Sequence, residues 1–265
     1  LCPASGLVGQ RARRLVVDVL VWGRLQLSRR APGGGMTWPR MVAPEWLDEL
    51  PPQDPRAIGS RRDLRCLNFW MRNARTMHPV LLDLFPASPP RCVVELGAGD
   101  GTFSLRIARL LGRLWPGVKV ILVDRQPSVS TQTCAAIEQM GWSVEIAAAD
   151  VFAWLPGQAS LDLVMANLFL HHFEAEPLRQ LLRLIAQSSA ALVACEPRRC
   201  APALAMGHLL WALGCNAVTR HDAPISVRAG FRARELSSAW TAARWNLREE
   251  RAGLFSHLFV ARQLA

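Results

Sequence analysis

The sequence predicts an α/β fold: a doubly wound, seven-stranded and mostly parallel sheet with an antiparallel C-terminal strand, preceded by an N-terminal helical cap. Two observations carry this prediction. From residue 91 onward, short apolar runs alternate with helical segments, a pattern typical of a parallel sheet with crossover helices. The last two runs, 245–249 and 255–262, are separated by a Gly-containing turn, which indicates a closing antiparallel hairpin.

The residues before 91 predict helices ahead of the sheet. Residues 44–58 are rich in Pro and Asp, so we expect an irregular segment there. Ser60 is placed to cap a helix, with Asp63 three residues on. The apolar stripe of that helix consists of Leu64, Leu67, Met71, Ala74 and His78. Pro79 ends the pattern, and a short helix is predicted over 80–85.

The elements of the sheet region follow in order along the chain. Strands are predicted at Cys92–Leu96, 118–123, 143–147, 161–166 and 190–195. Helices are predicted between them at 103–112, 128–140 and 177–187, with a further helix at 203–213.

Length and charge favour one main domain without a nucleic acid partner. A chain of 265 residues can bury one large core, which we place at 91–265 behind a cap segment at 36–90. Residues 1–35 lack a sustained period and end in a Pro-Gly turn before Met36, so we expect a disordered or non-native leader and a start at Met36. A targeting peptide is the competing interpretation, because these residues are rich in Arg and nearly free of acids. The net charge is +10, but six Arg against one Asp put +5 of it in that leader.

Cysteine usage and hydropathy predict the compartment. The seven Cys are odd in number and form no C-x-x-C pair, which indicates reduced thiols. No apolar run approaches the roughly 20 residues that cross a bilayer, and no signal peptide is recognised. We therefore expect a cytoplasmic protein with no membrane association. We also expect no metal site, and either a monomer or a homodimer.

The strongest motif joins the first strand to the helix that follows it. Segment 95–101 reads Glu-Leu-Gly-Ala-Gly-Asp-Gly and puts a Gly-rich turn where doubly wound folds bind nucleotide-like ligands. Glycines let the backbone turn sharply and approach a ligand without Cβ atoms in the way. The third Gly stands fifth in its motif and Thr102 sixth, a spacing that departs from the dinucleotide fingerprint of NAD-binding proteins.

With an acid two positions before its first Gly, this loop resembles the first motif of class I S-adenosylmethionine-dependent methyltransferases. Asp124 ends the second strand, where a carboxylate accepts hydrogen bonds from ribose hydroxyls. Asp150 ends the third strand, where members of the family bind the adenine of the cofactor. The resemblance covers 91–200 and implies S-adenosyl-L-methionine as the cofactor. The residues expected to bind it are Glu95, Gly97, Ala98, Gly99, Gly101, Asp124, Arg125, Asp150, Val151 and Asn167.

A Leu-His-His step after the fourth strand resembles the small-molecule branch of this family, in which this position borders the methyl group. Motifs of base-methylating and metal-dependent catechol relatives are absent from the sequence. A neutral His could take or steer the proton of a phenolic or carboxylic acceptor. The candidate catalytic residues are His171, His172 and His221. A structural role stays open for all three, with His221 fixed by Asp222. The segment Glu196-Pro197-Arg198-Arg199, after the fifth strand, could line the acceptor pocket.

Residues 44–64 and 216–237 also resemble bacterial methyltransferases associated with type III polyketide synthase clusters. This resemblance implies O-methylation of a phenolic or polyketide-like hydroxyl in secondary metabolism, with a small molecule as partner. Two alternatives remain open: an RNA methyltransferase, motivated by the basic charge, and a non-catalytic binding module without an acceptor cavity beside Asn167 and His171. An NAD oxidoreductase ranks last.

Overall fold

The computed structural model describes residues 38–51 and 53–264. The predicted leader at 1–35 and the predicted start at Met36 lie outside the described residues. Within the described ranges, no helix is long and apolar enough to cross a membrane.

A single seven-stranded sheet forms the centre of the described chain. Its order is β3-β2-β1-β4-β5-β7-β6. The first five strands pair in parallel, and β7 runs antiparallel between β5 and β6. The strands are β1 Cys92–Leu96, β2 Lys119–Asp124, β3 Ser143–Ala148, β4 Leu163–Asn167, β5 Ala191–Pro197, β6 Trp245–Ala252 and β7 Ser256–Gln263. The predicted fold class is confirmed, and the predicted strand ends differ from these by a few residues.

Helices cover both faces of the sheet. They are α1 Trp46–Glu49, α2 Pro55–Met71, α3 Asn73–Leu84, α4 Thr102–Leu111, α5 Thr131–Glu138, α6 Val151–Trp154, α7 Ala175–Ser188, α8 Ala201–Leu209, α9 Ala217–Ala229 and α10 Glu235–Ala239. Side chains of α3, α4 and α5 share one buried cluster with the sheet, and those of α7 and α10 share the other. Each large apolar side chain buried in this way stabilises the fold by about 1.5–3 kcal/mol.

The cap begins earlier than the sequence predicts. Asp54 caps α2 by accepting a 2.8 Å hydrogen bond from the Arg56 amide, with Pro55 at the first helical position. Ser60 lies inside this helix and accepts a 3.0 Å hydrogen bond from the Thr219 hydroxyl. The predicted cap at Ser60 was therefore wrong, because that side chain joins α2 to α9. Likewise, the segment predicted as irregular contains α1 and the start of α2.

The break between the cap helices falls at Arg72, not at Pro79. Arg72 has φ of 58°, in the left-handed region, and separates α2 from α3. Pro79 lies inside α3. An interior proline costs about 3 kcal/mol, and the burial of Val80, Leu81 and other apolar side chains of α3 offsets this cost. The predicted short helix over 80–85 is thus the second half of a longer one.

The parallel strands bring their carboxyl ends to the same edge of the sheet, where doubly wound folds bind ligands. Helix α9 packs against α1, α2 and α8 above this edge. The predicted helix at 203–213 divides into α8 and a 3₁₀ turn at Leu210–Leu213, which Gly214 ends with φ of 72°. Residues of α1, α2 and α9, together with the strand ends, line the candidate site.

Candidate functional site

The loop after β1 depends on glycines in left-handed backbone conformations. Gly97, Gly99 and Gly101 have φ of 68°, 53° and 69°. A Cβ on Gly97 would lie 2.2 Å from the Phe169 ring, whereas a Cβ on Gly99 would meet nothing within 4 Å. The loop therefore presents bare backbone to open space at Gly99, where a ligand can approach closely.

Two strand-end aspartates are fixed by backbone amides. Asp124 accepts 2.8 Å hydrogen bonds from the Gly99 amide on one carboxylate oxygen and from the Gln126 amide on the other. Asp150 accepts a 2.8 Å hydrogen bond from the Phe152 amide and caps α6. A carboxylate has about four acceptor positions, so both side chains keep acceptor capacity for a ligand.

Glu95 is the buried acid of the loop. Its side chain is 2% exposed, and its carboxylate accepts hydrogen bonds from the amide and hydroxyl of Ser104 at the start of α4. Burial raises the pKa of Glu95 to about 8, and the charges of Asp100 and Asp124 raise it too, against the lowering effect of the Ser104 hydrogen bonds. Glu95 is therefore largely neutral at pH 7 in the ligand-free protein.

A cavity of about 670 Å³ lies at the carboxyl ends of the strands, within the usual range for small-molecule sites. The predicted cofactor residues that line it are Glu95, Gly97, Ala98, Gly99, Asp124, Arg125, Asp150, Val151 and Asn167. His171 and His172 line it as well. Gly101 is not among the lining residues, and a Cβ there would lie 3.1 Å from Leu122, so this glycine serves helix-to-sheet packing.

His171 lies between two buried glutamates. Its Nδ1 is 2.8 Å from Glu196 Oε2, and its Nε2 is 3.5 Å from Glu45 Oε1. Glu196 also accepts hydrogen bonds from the amides of Phe169, Leu170 and His171. Burial alone would lower the pKa of His171, but the hydrogen bond with Glu196 and the charges of both glutamates raise it to about 9. The protonated form of the His171 ring is therefore favoured at neutral pH.

His172 lies beside His171 and is more accessible. The two rings have centroids 4.2 Å apart. The Nδ1 of His172 is 3.1 Å from Asp48 Oδ2, and its side chain is 25% exposed. Both predicted histidines are thus paired with carboxylates, and two of these partners, Glu45 and Asp48, come from the N-terminal side of the chain.

Residues 38–50 form a segment that we call the N-terminal strap. Arg40 anchors it by donating hydrogen bonds to the carbonyls of Ala229 (2.6 Å), His171 (2.9 Å) and Phe173 (2.8 Å). Its guanidinium also lies 4.5 Å from the centroid of the Phe231 ring. The strap therefore crosses the site and is held at the same turn that carries the two histidines.

Asn167 ties the site to the cap and to the last strand. Its side-chain oxygen accepts a 2.8 Å hydrogen bond from Asn73 at the start of α3. The Asn73 oxygen in turn accepts a 2.8 Å hydrogen bond from the Ser256 hydroxyl in β7. This buried chain of amides and a hydroxyl fixes the end of β4 beside the cavity.

Sequence reasoning missed the roles of Arg40, Glu45 and Asp48. These residues are remote in sequence from the strands whose ends they cover, and no spacing links them to the Leu-His-His step. Glu196 was expected to line the acceptor pocket. It is fully buried behind His171 instead, and its neighbour Pro197 lines the cavity.

His221 is not among the residues that line the cavity. It belongs to helix α9, not to a loop, and its Nδ1 is 2.7 Å from Asp222 Oδ1. Its ring stacks on Trp46 with centroids 3.7 Å apart. The structure does not bring this side chain together with the other two candidate histidines at the cavity.

Comparison with known proteins places this geometry in a family. Residues 93–190 match the family described as "Methyltransferase domain". This region is a methyltransferase domain. One relative is an uncharacterized methyltransferase of Mycobacterium tuberculosis, 32% identical over 102 residues, which are 38% of this chain and 48% of the relative. A Mycobacterium bovis relative gives the same figures. The chain thus spans about half the length of the curated relatives that it matches.

Solved structures share the fold of the methyltransferase domain. The plantazolicin methyltransferase BpumL in complex with SAH superposes with a TM-score of 0.59 and 13% identity, over 97% of this chain and 100% of that one. An O-methyltransferase family protein from Burkholderia thailandensis gives a TM-score of 0.58 and 19% identity, over 99% of this chain and 74% of that one. At these identities, the likeness establishes the architecture.

Proposed function

We propose that this protein transfers a methyl group from S-adenosyl-L-methionine to a hydroxyl of a small molecule, a phenolic or polyketide-like acceptor. The observation that carries the proposal is the convergence of the Gly-rich loop, Asp124 and Asp150 on one cavity of a methyltransferase domain. The SAH complex of BpumL supports the choice of cofactor.

The residues present fit this cofactor. Gly99 leaves open space above its backbone, and Asp124 keeps free acceptor positions that suit the two ribose hydroxyls. Asp150 can accept from the adenine amino group, and Val151 and Phe152 offer apolar surface to the ring. When bound, the cofactor supplies a methyl group on a sulfonium cation, and transfer to a hydroxyl oxygen leaves the thioether and one proton.

The chain's own contribution is positioning. Holding two reacting groups in line at near-contact distance can supply several kcal/mol of the barrier reduction. Asn167, fixed by Asn73, and the turn at 170–172, fixed by Arg40 and Glu196, give the cavity a rigid wall on the side of β4 and β5. The strap covers this wall, in which His171 and Glu196 are 2% and 0% exposed.

The choice of a hydroxyl acceptor rests on the remaining cavity lining. Apolar side chains that suit an aromatic ring are Val42, Leu47, Leu64, Phe169 and Phe173. The cavity beside Asn167 and His171 is what an enzyme needs and what a binding module without an acceptor site would lack. The O-methyltransferase family protein among the structural neighbours supports the same class of reaction.

The test is calorimetric titration of S-adenosylmethionine and S-adenosylhomocysteine into the full chain and its Asp124→Ala variant. Loss of two hydrogen bonds to a carboxylate, at about 1.5 kcal/mol each, predicts at least about 100-fold weaker binding. Asp83→Ala, an exposed aspartate outside the cavity, is the matched control and should bind like the wild type.

Mass spectrometry of reactions with phenolic acceptors then tests the transfer. Methylation on oxygen supports the proposal. A folded chain that binds neither cofactor form, or one that methylates amines and no hydroxyl, overturns it.

A further inference from the structure

Three side chains of metal-ligand type converge on one wall of the cavity. Glu45, His171 and His172 each offer one ligand atom, and the three atoms lie within 4.8 Å of one another. Glu45 and His171 are buried, and His172 is half-buried. We propose that these residues form a binding site for a divalent transition-metal ion of the zinc type.

The spacing suits two ligands of one ion. The Nε2 of His171 is 3.5 Å from Glu45 Oε1, longer than the 2.7–3.2 Å of an ordinary N–H···O hydrogen bond. Two ligands that each lie about 2.1 Å from a tetrahedral ion are about 3.4 Å apart. The gap between these atoms is therefore close to the edge of a zinc coordination polyhedron.

The outer partners of both histidines follow the pattern of metal sites. A ligating histidine almost always donates its other ring N–H to a carboxylate, a carbonyl or water, which fixes the ring and its tautomer. The Nδ1 of His171 is paired with Glu196, and the Nδ1 of His172 is paired with Asp48. Each ring thus keeps its other nitrogen for an ion.

The charges around the cluster favour a cation. Three carboxylates, those of Glu45, Asp48 and Glu196, surround two imidazoles, and Glu45 and Glu196 are 8% and 0% exposed. Buried carboxylates need compensating positive charge. Arg40 and Arg125 supply part of it, through their charges on Glu196 and Asp48. A divalent ion adds to it beside Glu45 and displaces any proton carried by the ligands, so a proton on His171 is the competing occupant.

The ligand set is of the open kind. Three protein ligands leave at least one coordination position, and all three residues line the cavity, an arrangement typical of catalytic rather than structural zinc. A role for the ion toward the acceptor rests on the proposed function. An acceptor hydroxyl in the open position would release its proton to water more readily, which makes its oxygen a better nucleophile.

Cobalt binding tests the site without reference to activity. The chelator-treated full chain is titrated with Co²⁺, and bound metal is followed by visible absorption and by metal analysis. We expect one equivalent of Co²⁺ with the spectrum of a four- or five-coordinate site, displaced by Zn²⁺. His172→Gln and Glu45→Gln should each weaken binding by about 100-fold or more, beyond the 10- to 100-fold loss expected for the outer partner in Glu196→Gln.

Two variants make the outcomes distinct. His172 is half-buried, so its replacement tests the site even if Glu45→Gln disturbs the strap. His208→Gln changes an exposed histidine outside the cavity and should bind Co²⁺ like the wild type. A folded wild type that binds no Co²⁺ or Zn²⁺, or equal binding by the wild type and His172→Gln, overturns the inference.

The metal site and the proposed function fail separately. Asp124→Ala is expected to lose S-adenosylmethionine binding and to keep Co²⁺ binding, because Asp124 belongs to the glycine-loop side of the cavity. Co²⁺ binding by a wild type that does not bind S-adenosylmethionine would overturn the methyl-transfer function and leave the metal site standing.

Discussion

The raised pKa of Glu95 predicts a pH-dependent stability that one substitution should remove. The carboxyl is neutral up to about pH 8 in the folded protein, against an ordinary value of 4.5. The contribution of Glu95 to the free energy of unfolding is therefore fully present below about pH 4.5 and is lost as the pH rises toward 8. The reason is that the unfolded chain ionises freely, whereas the folded chain must keep the proton or bury a charge.

The magnitude follows from the same two values. Each pH unit between them corresponds to about 1.4 kcal/mol, so Glu95 alone should lower the free energy of unfolding by about 3 kcal/mol between pH 5.5 and pH 8.5. Glu95→Gln keeps an acceptor for the Ser104 hydroxyl and carries no titratable proton. Its stability should fall less over this range, and the difference from the wild type should grow with pH.

The assay is urea unfolding of the full chain without cofactor at pH 5.5, 7 and 8.5. Ser104→Ala is the companion variant, because it removes a hydrogen bond to the carboxylate and leaves the carboxyl titratable. Parallel pH profiles for the wild type and Glu95→Gln would refute the assignment of a raised pKa to Glu95.

Further predictions concern the loop and the strap. Gly97→Ala should destabilise the fold by several kcal/mol in urea unfolding, because the new Cβ meets the Phe169 ring and the backbone has a positive φ. Gly99→Ala should cost only the backbone strain, about 1 kcal/mol. Equal destabilisation by the two variants would contradict this prediction. Arg40→Ala removes three hydrogen bonds to carbonyls and should lower the free energy of unfolding by about 3 kcal/mol. The control is Arg56→Ala, which removes the exposed ion pair with Asp54. An unchanged unfolding midpoint in Arg40→Ala would show that Arg40 does not hold the strap.

The sequence predicted the part of the molecule whose signals are local. Strand periodicity placed β1 to β5, and the glycine spacing with Asp124 and Asp150 at strand ends located the cavity, because parallel strands bring such residues to one edge whatever the loops do. Each of these signals can be recognised from residues that are close together in the sequence. The apolar runs and the Gly-containing turn between them likewise predicted the antiparallel hairpin of β6 and β7.

The cap could not be predicted as well, since its residues act through distant contacts. Ser60 looks like a helix cap and instead bonds to Thr219 on another helix, while Pro79 looks like a helix breaker and is tolerated because α3 is buried. Glu45 gave no signal at all, because its partners follow strands that come much later in the chain. Local propensity yields to tertiary packing at such positions.

The placement of β7 has a consequence for synthesis of the chain. Every residue of β5 is buried, and its outer partner is β7, which follows the other six described strands in the chain. Until residues 256–263 leave the ribosome, β5 is an exposed apolar edge, the kind of surface that pairs with other chains. The glycine loop can form from strands already made, but the Ser256 contact with Asn73 waits for β7. The nascent protein therefore has the loop of its cofactor site before it has a closed sheet, and the edge of β5 stays open to aggregation until β7 pairs with it.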